Sequence, residues 1–205
     1  MQLVVASRNQ KKIAELRTML AALCPAVTLL SLDDIHFTED TPETGTTFIE
    51  NALIKANAIT AKGYIAVADD SGLCVDALNG APGIFSARYA NDHGNDAANN
   101  AKLLHALESV ELPARTAHYA CAIACTFPHA EPIVVTGRCD GVILRQPRGN
   151  NGFGYDPLFF DPTYQKTFAE LSGEEKAAVS HRGKAMRAFA NALAERLAAL
   201  GKESV

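Results

Sequence analysis

Hydrophobic and polar positions along this chain follow two rhythms in alternation. Leu3-Val4-Val5-Ala6 is a short apolar run of the kind a buried strand presents, and Lys11 to Leu23 sets Ile13, Leu16, Leu20 and Leu23 at helical spacing. Pro25 follows that helix, and Val27 to Leu30 gives a second short strand. From Thr46 to Lys62 the positions Phe48, Ile49, Ala52, Leu53, Ala56 and Ile59 again share a helical face, with Gly63 as the stop. The β-branched run from Ile65 to Ala68 predicts a strand that ends at Asp69-Asp70, where Ser71-Gly72 supplies a break. Asn95 to Glu108 predicts a helix. Thr116 to Phe127 and Pro132 to Leu144 predict a long β-hairpin turning near Pro128-His129-Ala130-Glu131. A last helix begins after Ser180 as N-cap and buries Met186, Phe189, Leu193, Leu197 and Leu200. The order implies an α/β fold with a long mixed β-sheet flanked by helices, in one domain over residues 1–205 with no linker.

Composition narrows the compartment and the partners. With 205 residues, 48% hydrophobic and 20% charged, the chain has ordinary globular composition and enough apolar material for a sizeable core. Met1 is not followed by a basic segment and an apolar run, and no stretch is long enough to span a bilayer, so the expectation is a cytoplasmic protein with no membrane partner. Five cysteines, Cys24, Cys74, Cys121, Cys125 and Cys139, are an odd number scattered through apolar segments, as reduced thiols would be. A net charge of -4 disfavours a nucleic-acid surface, which needs a basic stripe, but leaves room for a small anionic ligand met by local cations.

Four segments carry candidate chemistry. Asp69-Asp70 at a strand end offers hard oxygen ligands, which suit Mg²⁺ bound through one or two carboxylates plus the phosphates of a substrate; an isolated Asp-Asp pair also serves simply to cap a turn. The polar turn Ser7-Arg8-Asn9-Gln10-Lys11-Lys12 loads the start of the first helix with cations, where the helix dipole disfavours them unless an anion binds. It lacks the Gly-rich spacing of a Walker loop. Ser180-His181-Arg182-Gly183-Lys184 repeats the oddity at the last helix, where an Arg fork and a His suit a phosphate or a nucleobase edge. In Gly149-Asn150-Asn151-Gly152-Phe153-Gly154-Tyr155-Asp156-Pro157, glycines flank Phe153, so backbone and rings can approach a flat ligand. A fifth grouping, His118, Cys121, Cys125 and His129, has a zinc-like spacing. On an extended strand, however, Cys121 and Cys125 lie roughly 13 Å apart at ~3.3 Å per residue, so they read as core.

Six ordered blocks carry a family resemblance. They are Ser7-x-Asn9-x-x-Lys12; Glu43-Thr44-Gly45 with Phe48-Ile49-Glu50-Asn51-Ala52-x-x-Lys55-Ala56; Ala68-Asp69-Asp70-Ser71-Gly72-Leu73-x-Val75-Asp76-Ala77-Leu78; and Gly80-Ala81-Pro82-Gly83-Ile84-Phe85-Ser86-Ala87-Arg88-Tyr89. Gly152-Phe153-Gly154-Tyr155-Asp156-Pro157-Leu158-Phe159 and Ser180-His181-Arg182-Gly183-Lys184-Ala185 complete the set. Together they resemble the inosine/xanthosine triphosphate pyrophosphatases, which hydrolyse non-standard purine nucleoside triphosphates. The first block departs from the family's pattern, which usually has glycines where Arg8 and Lys11 stand here.

The resemblance implies a two-lobed fold with a deep central cleft, a homodimer, dependence on Mg²⁺, and release of nucleoside monophosphate and pyrophosphate. It implies that Ser7, Asn9 and Lys12, with Arg8, Gln10 and Lys11 beside them, hold the triphosphate, joined by Lys55. Glu43 and Asp70 become the metal residues, and Asp70 also the acceptor of the proton from the attacking water. Asp69 orients that pair, and Ser71 contacts substrate. Phe153, Gly154, Tyr155 and Asp156 form the base slot, closed by Lys176, His181 and Arg182. Two other readings use the same residues: a nucleotide-binding sensor without turnover, and a pyrophosphatase of similar fold acting on modified pyrimidines. The carboxylates favour an enzyme, since a pure binder gains little from a group that activates water.

Overall fold

The computed structural model describes residues 1–91 and 94–202, with side chains through residue 199. Its elements are β1 (Gln2–Val5), α1 (Gln10–Leu23), β2 (Thr28–Leu30), α2 (Phe48–Thr60), β3 (Ala66–Val75), α3 (Asp96–Ala106), β4 (Thr116–Phe127), β5 (Ala130–Ile143), β6 (Phe159–Asp161), β7 (Lys166–Thr167), α4 (Gly173–Val179) and α5 (His181–Lys202). The strands form one seven-stranded sheet in the order β2-β1-β3-β4-β5-β6-β7. Its β1 pairs in parallel with β2 and β3, whereas β6 runs antiparallel to β5 and β7, which makes the sheet mixed. Among the described residues no helix is long and apolar enough to cross a membrane.

The chain divides into two compact units. The first comprises Met1–Asp70, Ala122–Gly137 and Gly183–Val205; the second comprises Ser71–Cys121 and Arg138–Arg182. In the first unit α2 lays Ala56 and Ile59 against Val4 and Ala6 of the β1 segment and Ala66 and Ala68 of β3, all buried. The small side chains on both layers let helix and strands approach closely, and the removal of this apolar area from water is what holds them together. In the second unit Leu73 and Val75 of β3, Leu103 of α3, Tyr119 of β4, Ile143 of β5, and Phe159 and Phe168 form one buried cluster. Phe159 meets Tyr119 at 4.7 Å and Phe168 at 4.8 Å between ring centroids, tilted arrangements that ring quadrupoles favour.

Several expectations change at this level. The strand does not break after the Asp pair: β3 runs through Asp69, Asp70, Ser71 and Gly72 to Val75. Leu73 and Val75 are fully buried, and the burial they gain keeps the strand extended past the glycine. The hairpin turns more tightly than its composition implied, on Pro128-His129 alone. Beyond it, β6, β7 and α4 have no counterpart in the periodicity, being two or three residues long or, for α4, a single capped stretch of seven. Leu23, Ile49 and Leu197 lie on the exposed rim of their helices instead of facing the core, while Met186, Phe189 and Leu193 are buried as expected. The Leu200 side chain lies outside the described residues. Cys121 and Cys125 are buried in β4, and burial pushes the Cys125 thiol up to about 12, which keeps it a neutral packing group.

Candidate active site

The expected residues fall into two groups, one in each unit. In the first unit, Asp69 and Asp70 are consecutive on β3, and a strand sends consecutive side chains to opposite faces. Each carboxylate accordingly has its own lysine. Lys12 of α1 brings its Nζ to 3.4 Å from Asp69 Oδ2. Lys55 of α2 donates to Asp70 Oδ1 at 3.2 Å, to Glu43 Oε1 at 2.8 Å and to the Asp69 carbonyl at 2.8 Å, which uses all three of its protons. Burial pulls the Lys55 ammonium down, but the charges of Asp70, Glu43 and Asp69 outweigh it and hold its affinity for a proton above the ordinary value.

Asn51 belongs to this group and was not among the expected site residues. It is fully buried and donates its Nδ2 to Asp70 Oδ2 at 3.2 Å, so each oxygen of Asp70 has one donor. Its Oδ1 accepts the Gly45 N–H at 2.8 Å. The contact explains the glycine, because a Cβ there would sit 2.7 Å from Asn51 Oδ1 and 2.7 Å from Glu50 Cβ. The signal was available in the sequence: Asn51 and Lys55 are four residues apart and share one helix face. Burial raises Asp70 above its ordinary value, and Lys55 and then Lys12 oppose the rise.

The basic turn before α1 is more divided than its sequence implied. Asn9 caps the helix by accepting the Lys12 N–H at 3.2 Å, and Ser7 Oγ accepts the Asn9 N–H at 3.2 Å. Arg8 turns away and donates to the Phe37 and Glu39 carbonyls, each at 3.2 Å, so it fastens a loop. Gln10 and Lys11 are exposed on the first turn. The misplaced charge of Lys12 is met by Asp69, an anion that the fold itself supplies.

In the second unit Asp156 is the organising group. Its Oδ2 accepts the Phe153 N–H at 2.9 Å and Lys176 Nζ at 2.7 Å in a pair that is almost fully buried. A Cβ on Gly152 would collide with that carboxylate, and Gly152 also holds a φ of +75°, so both space and backbone select glycine. The half-buried Phe153 ring carries two cations, with Lys176 Nζ at 4.8 Å and Arg182 Cζ at 5.8 Å from its centroid. Arg182 also donates to Ser71 Oγ at 2.8 Å. Its neighbour His181 stacks on Tyr119 with centroids 4.5 Å apart and planes 10° from parallel. The two residues follow directly on Ser180, which closes α4 and opens α5.

One member of the expected base slot is corrected. Tyr155 is 3% exposed, packs in the core of this unit and donates its hydroxyl to the Ser86 carbonyl at 2.9 Å. Its ring has no face left for a ligand, so the aromatic surface here is that of Phe153. The Gly154 peptide between them is tied to α3, an element the sequence did not bring to this place: Asp96 Oδ2 accepts its N–H at 2.9 Å, and Asn100 donates to its carbonyl at 2.8 Å.

Comparisons with known proteins meet this geometry along nearly the whole chain. The dITP/XTP pyrophosphatase of Mycolicibacterium paratuberculosis is 53% identical over 194 residues, covering 93% of this chain and 95% of the relative. That of Bacillus anthracis is 46% identical over 189 residues, covering 91% and 93% respectively. Among solved structures, the Staphylococcus aureus Ham1 protein superposes with a TM-score of 0.87 at 40% identity, over 96% of this chain and 100% of the other. The nucleoside-triphosphatase / dITP/XTP pyrophosphatase of Mycobacterium abscessus gives 0.76 at 50% identity, over 92% and 98%. A model of the Ham1 family matches residues 3–192, a span that takes in every residue of both groups, and the chain therefore belongs to the Ham1 family.

Proposed function

We propose that this chain hydrolyses non-canonical purine nucleoside triphosphates, dITP and XTP among them, to the nucleoside monophosphate and pyrophosphate. The reading is carried by the two buried carboxylates side by side on β3, each held by a lysine from a different helix. Buried carboxylates fixed by ammonium groups form an arrangement that phosphates can enter by exchange, with Lys12 and Lys55 passing from carboxylate to phosphate oxygen. Ser7 and Asn9 add neutral donors at the start of α1. Asp70, oriented by Asn51 and raised by burial, is the acceptor for the proton of the attacking water. Asp69 keeps Lys12 placed. The base stacks on Phe153, with Asp156 and Lys176 fixing that ring and His181 and Arg182 supplying donors to a C6 carbonyl. Adenine offers an amino group there, so donor would face donor and ATP should be a poor substrate.

Glu43 and Asp70 are hard oxygen donors that already share one cation, the Lys55 ammonium, so their chemistry fits Mg²⁺. Among the described residues no three His, Cys, Asp or Glu side chains are grouped to hold a metal ion, so substrate phosphates and water would supply its further ligands. When bound, the ion offsets the charge that develops on the leaving pyrophosphate. The resemblance also supports a homodimer acting in the cytoplasm.

The test is product identity. With dITP, XTP, GTP and ATP and added Mg²⁺, the expected products from dITP and XTP are monophosphate and pyrophosphate in equal amounts, with ATP turned over least. Release of orthophosphate, or equal kcat/KM for ATP and dITP, would overturn the reading.

A further inference from the structure

We infer that Asp96 and Asn100 of α3 are positioning residues for base recognition, acting through the Gly154 peptide. The two side chains lie one helical turn apart and so share a face of α3. They grip the same residue from both of its backbone groups, the N–H at 2.9 Å and the carbonyl at 2.8 Å. On the other side of Phe153, its own N–H is fixed by Asp156 at 2.9 Å. The backbone on either side of the Phe153 ring is thereby held by hydrogen bonds, while Lys176 and Arg182 lie over the ring. Gly154 needs this support more than most residues. Its φ is +62°, and nothing lies within 4 Å of where a Cβ would be. Without the clamp a glycine keeps the widest range of backbone states, and each would move the ring attached one residue earlier.

The end of the clamp on α3 is itself rigid. Asn95 caps the helix by accepting the Ala98 N–H at 3.1 Å, and Leu103 on the same helix is fully buried. Asn99, between the two clamp residues, accepts the Ala90 N–H at 2.8 Å and ties the helix to the preceding turn. Among the described residues the Asn100 amide oxygen is buried without a hydrogen-bond partner, while the amide nitrogen of the same side chain donates to the Gly154 carbonyl. The bond to the Gly154 peptide offsets part of the cost of burying that oxygen.

This inference rests on the proposed function for the identity of the base, and its test does not require turnover. Calorimetry would measure binding of inosine triphosphate and of inorganic tripolyphosphate, which has no base, to the wild-type protein and to Asn100→Ala, Asn100→Asp and Asp96→Asn. Loss of one hydrogen bond weakens positioning by about tenfold, so Asn100→Ala should bind inosine triphosphate about tenfold more weakly and tripolyphosphate unchanged. Asn100→Asp should be worse, because a carboxylate faces the Gly154 carbonyl, whereas Asp96→Asn keeps an acceptor for the N–H and should remain near wild type. Equal weakening for both ligands, or none for inosine triphosphate in either Asn100 variant, would overturn the clamp. A wild type that binds inosine triphosphate but releases no pyrophosphate from it would overturn the function and leave the clamp standing.

Discussion

Asn51 and Asp70, nineteen residues apart in the chain, meet at 3.2 Å in a setting where Asn51 is wholly buried. The amide makes the position of one Asp70 oxygen independent of any ligand. Asn51→Asp would replace that donor by a second carboxylate, and like charges at this distance raise one of the pair strongly. Turnover should fall by roughly 10²-fold or more, in line with general-base losses. Gly45→Ala should reproduce part of the loss by pushing on Asn51, at a cost of roughly 1–3 kcal/mol in stability. Denaturant melts and steady-state rates on both variants check this, and a Gly45→Ala protein indistinguishable from wild type would refute it.

Asp70 predicts a pH profile. Its folded-state acidity is weakened by burial, so the base form is lost as pH falls through a value above 3.8, the ordinary one. The acid limb of kcat/KM should lie above that figure. Lys55 is the strongest group opposing the rise, so Lys55→Met should move the limb to still higher pH while weakening substrate binding. Asp70→Asn should abolish the limb along with nearly all turnover, ~10²–10⁴-fold for a lost general base, while nucleotide binding survives.

Lys12 carries two duties, and both should show. Asp69 is inaccessible to water while Lys12 is partly exposed, and leaving the buried carboxylate unpaired costs up to about 3–5 kcal/mol. Lys12→Ala should therefore lower Tm as well as raise KM for the triphosphate. In Lys12→Ala/Asp69→Asn most of the stability should return and the KM should not. A double-mutant cycle on Tm and KM separates the two.

Phe153 and Tyr155 should divide sharply. Phe153→Ala should weaken nucleotide binding and narrow the gap between dITP and ATP. Tyr155→Phe deletes only the bond to Ser86, so it should cost about 1 kcal/mol in stability and leave the preference intact. A selectivity change in Tyr155→Phe would restore that ring to the base slot.

Wherever one element's own periodicity determines its state, the sequence was readable: α1, α2, α3, the β4–β5 hairpin and α5 all lie within a few residues of their patterns. It misled at β3, where the local turn chemistry of Ser71-Gly72 lost to the burial of Leu73 and Val75, an outcome decided by distant residues. The α4 helix was marked by Ser172 and Glu175, which form a capping box, but it is too short to show a period. Among site residues, charge in unusual places pointed to Lys12 and Asp70, whereas Lys55 came through the family resemblance. Asn51 shares a helix face with Lys55 but was given no role, and Asp96 and Asn100 went unnoticed, because a polar side chain on a helix has no such oddity and the fold is needed to show what it holds. Tyr155 was misjudged for the converse reason, since an aromatic beside glycines looks alike whether it faces ligand or core.

The division into two units has a consequence for inheritance. The chain crosses from one unit to the other after Asp70, Cys121, Gly137 and Arg182, so the first is assembled from three separate stretches of sequence and the second from two. No contiguous fragment of the gene encodes either one alone. Exchange of a whole unit between relatives would therefore require more than one stretch of sequence to be transferred together, whereas a point substitution in α3 or the Gly152–Asp156 loop alters one unit without touching the other.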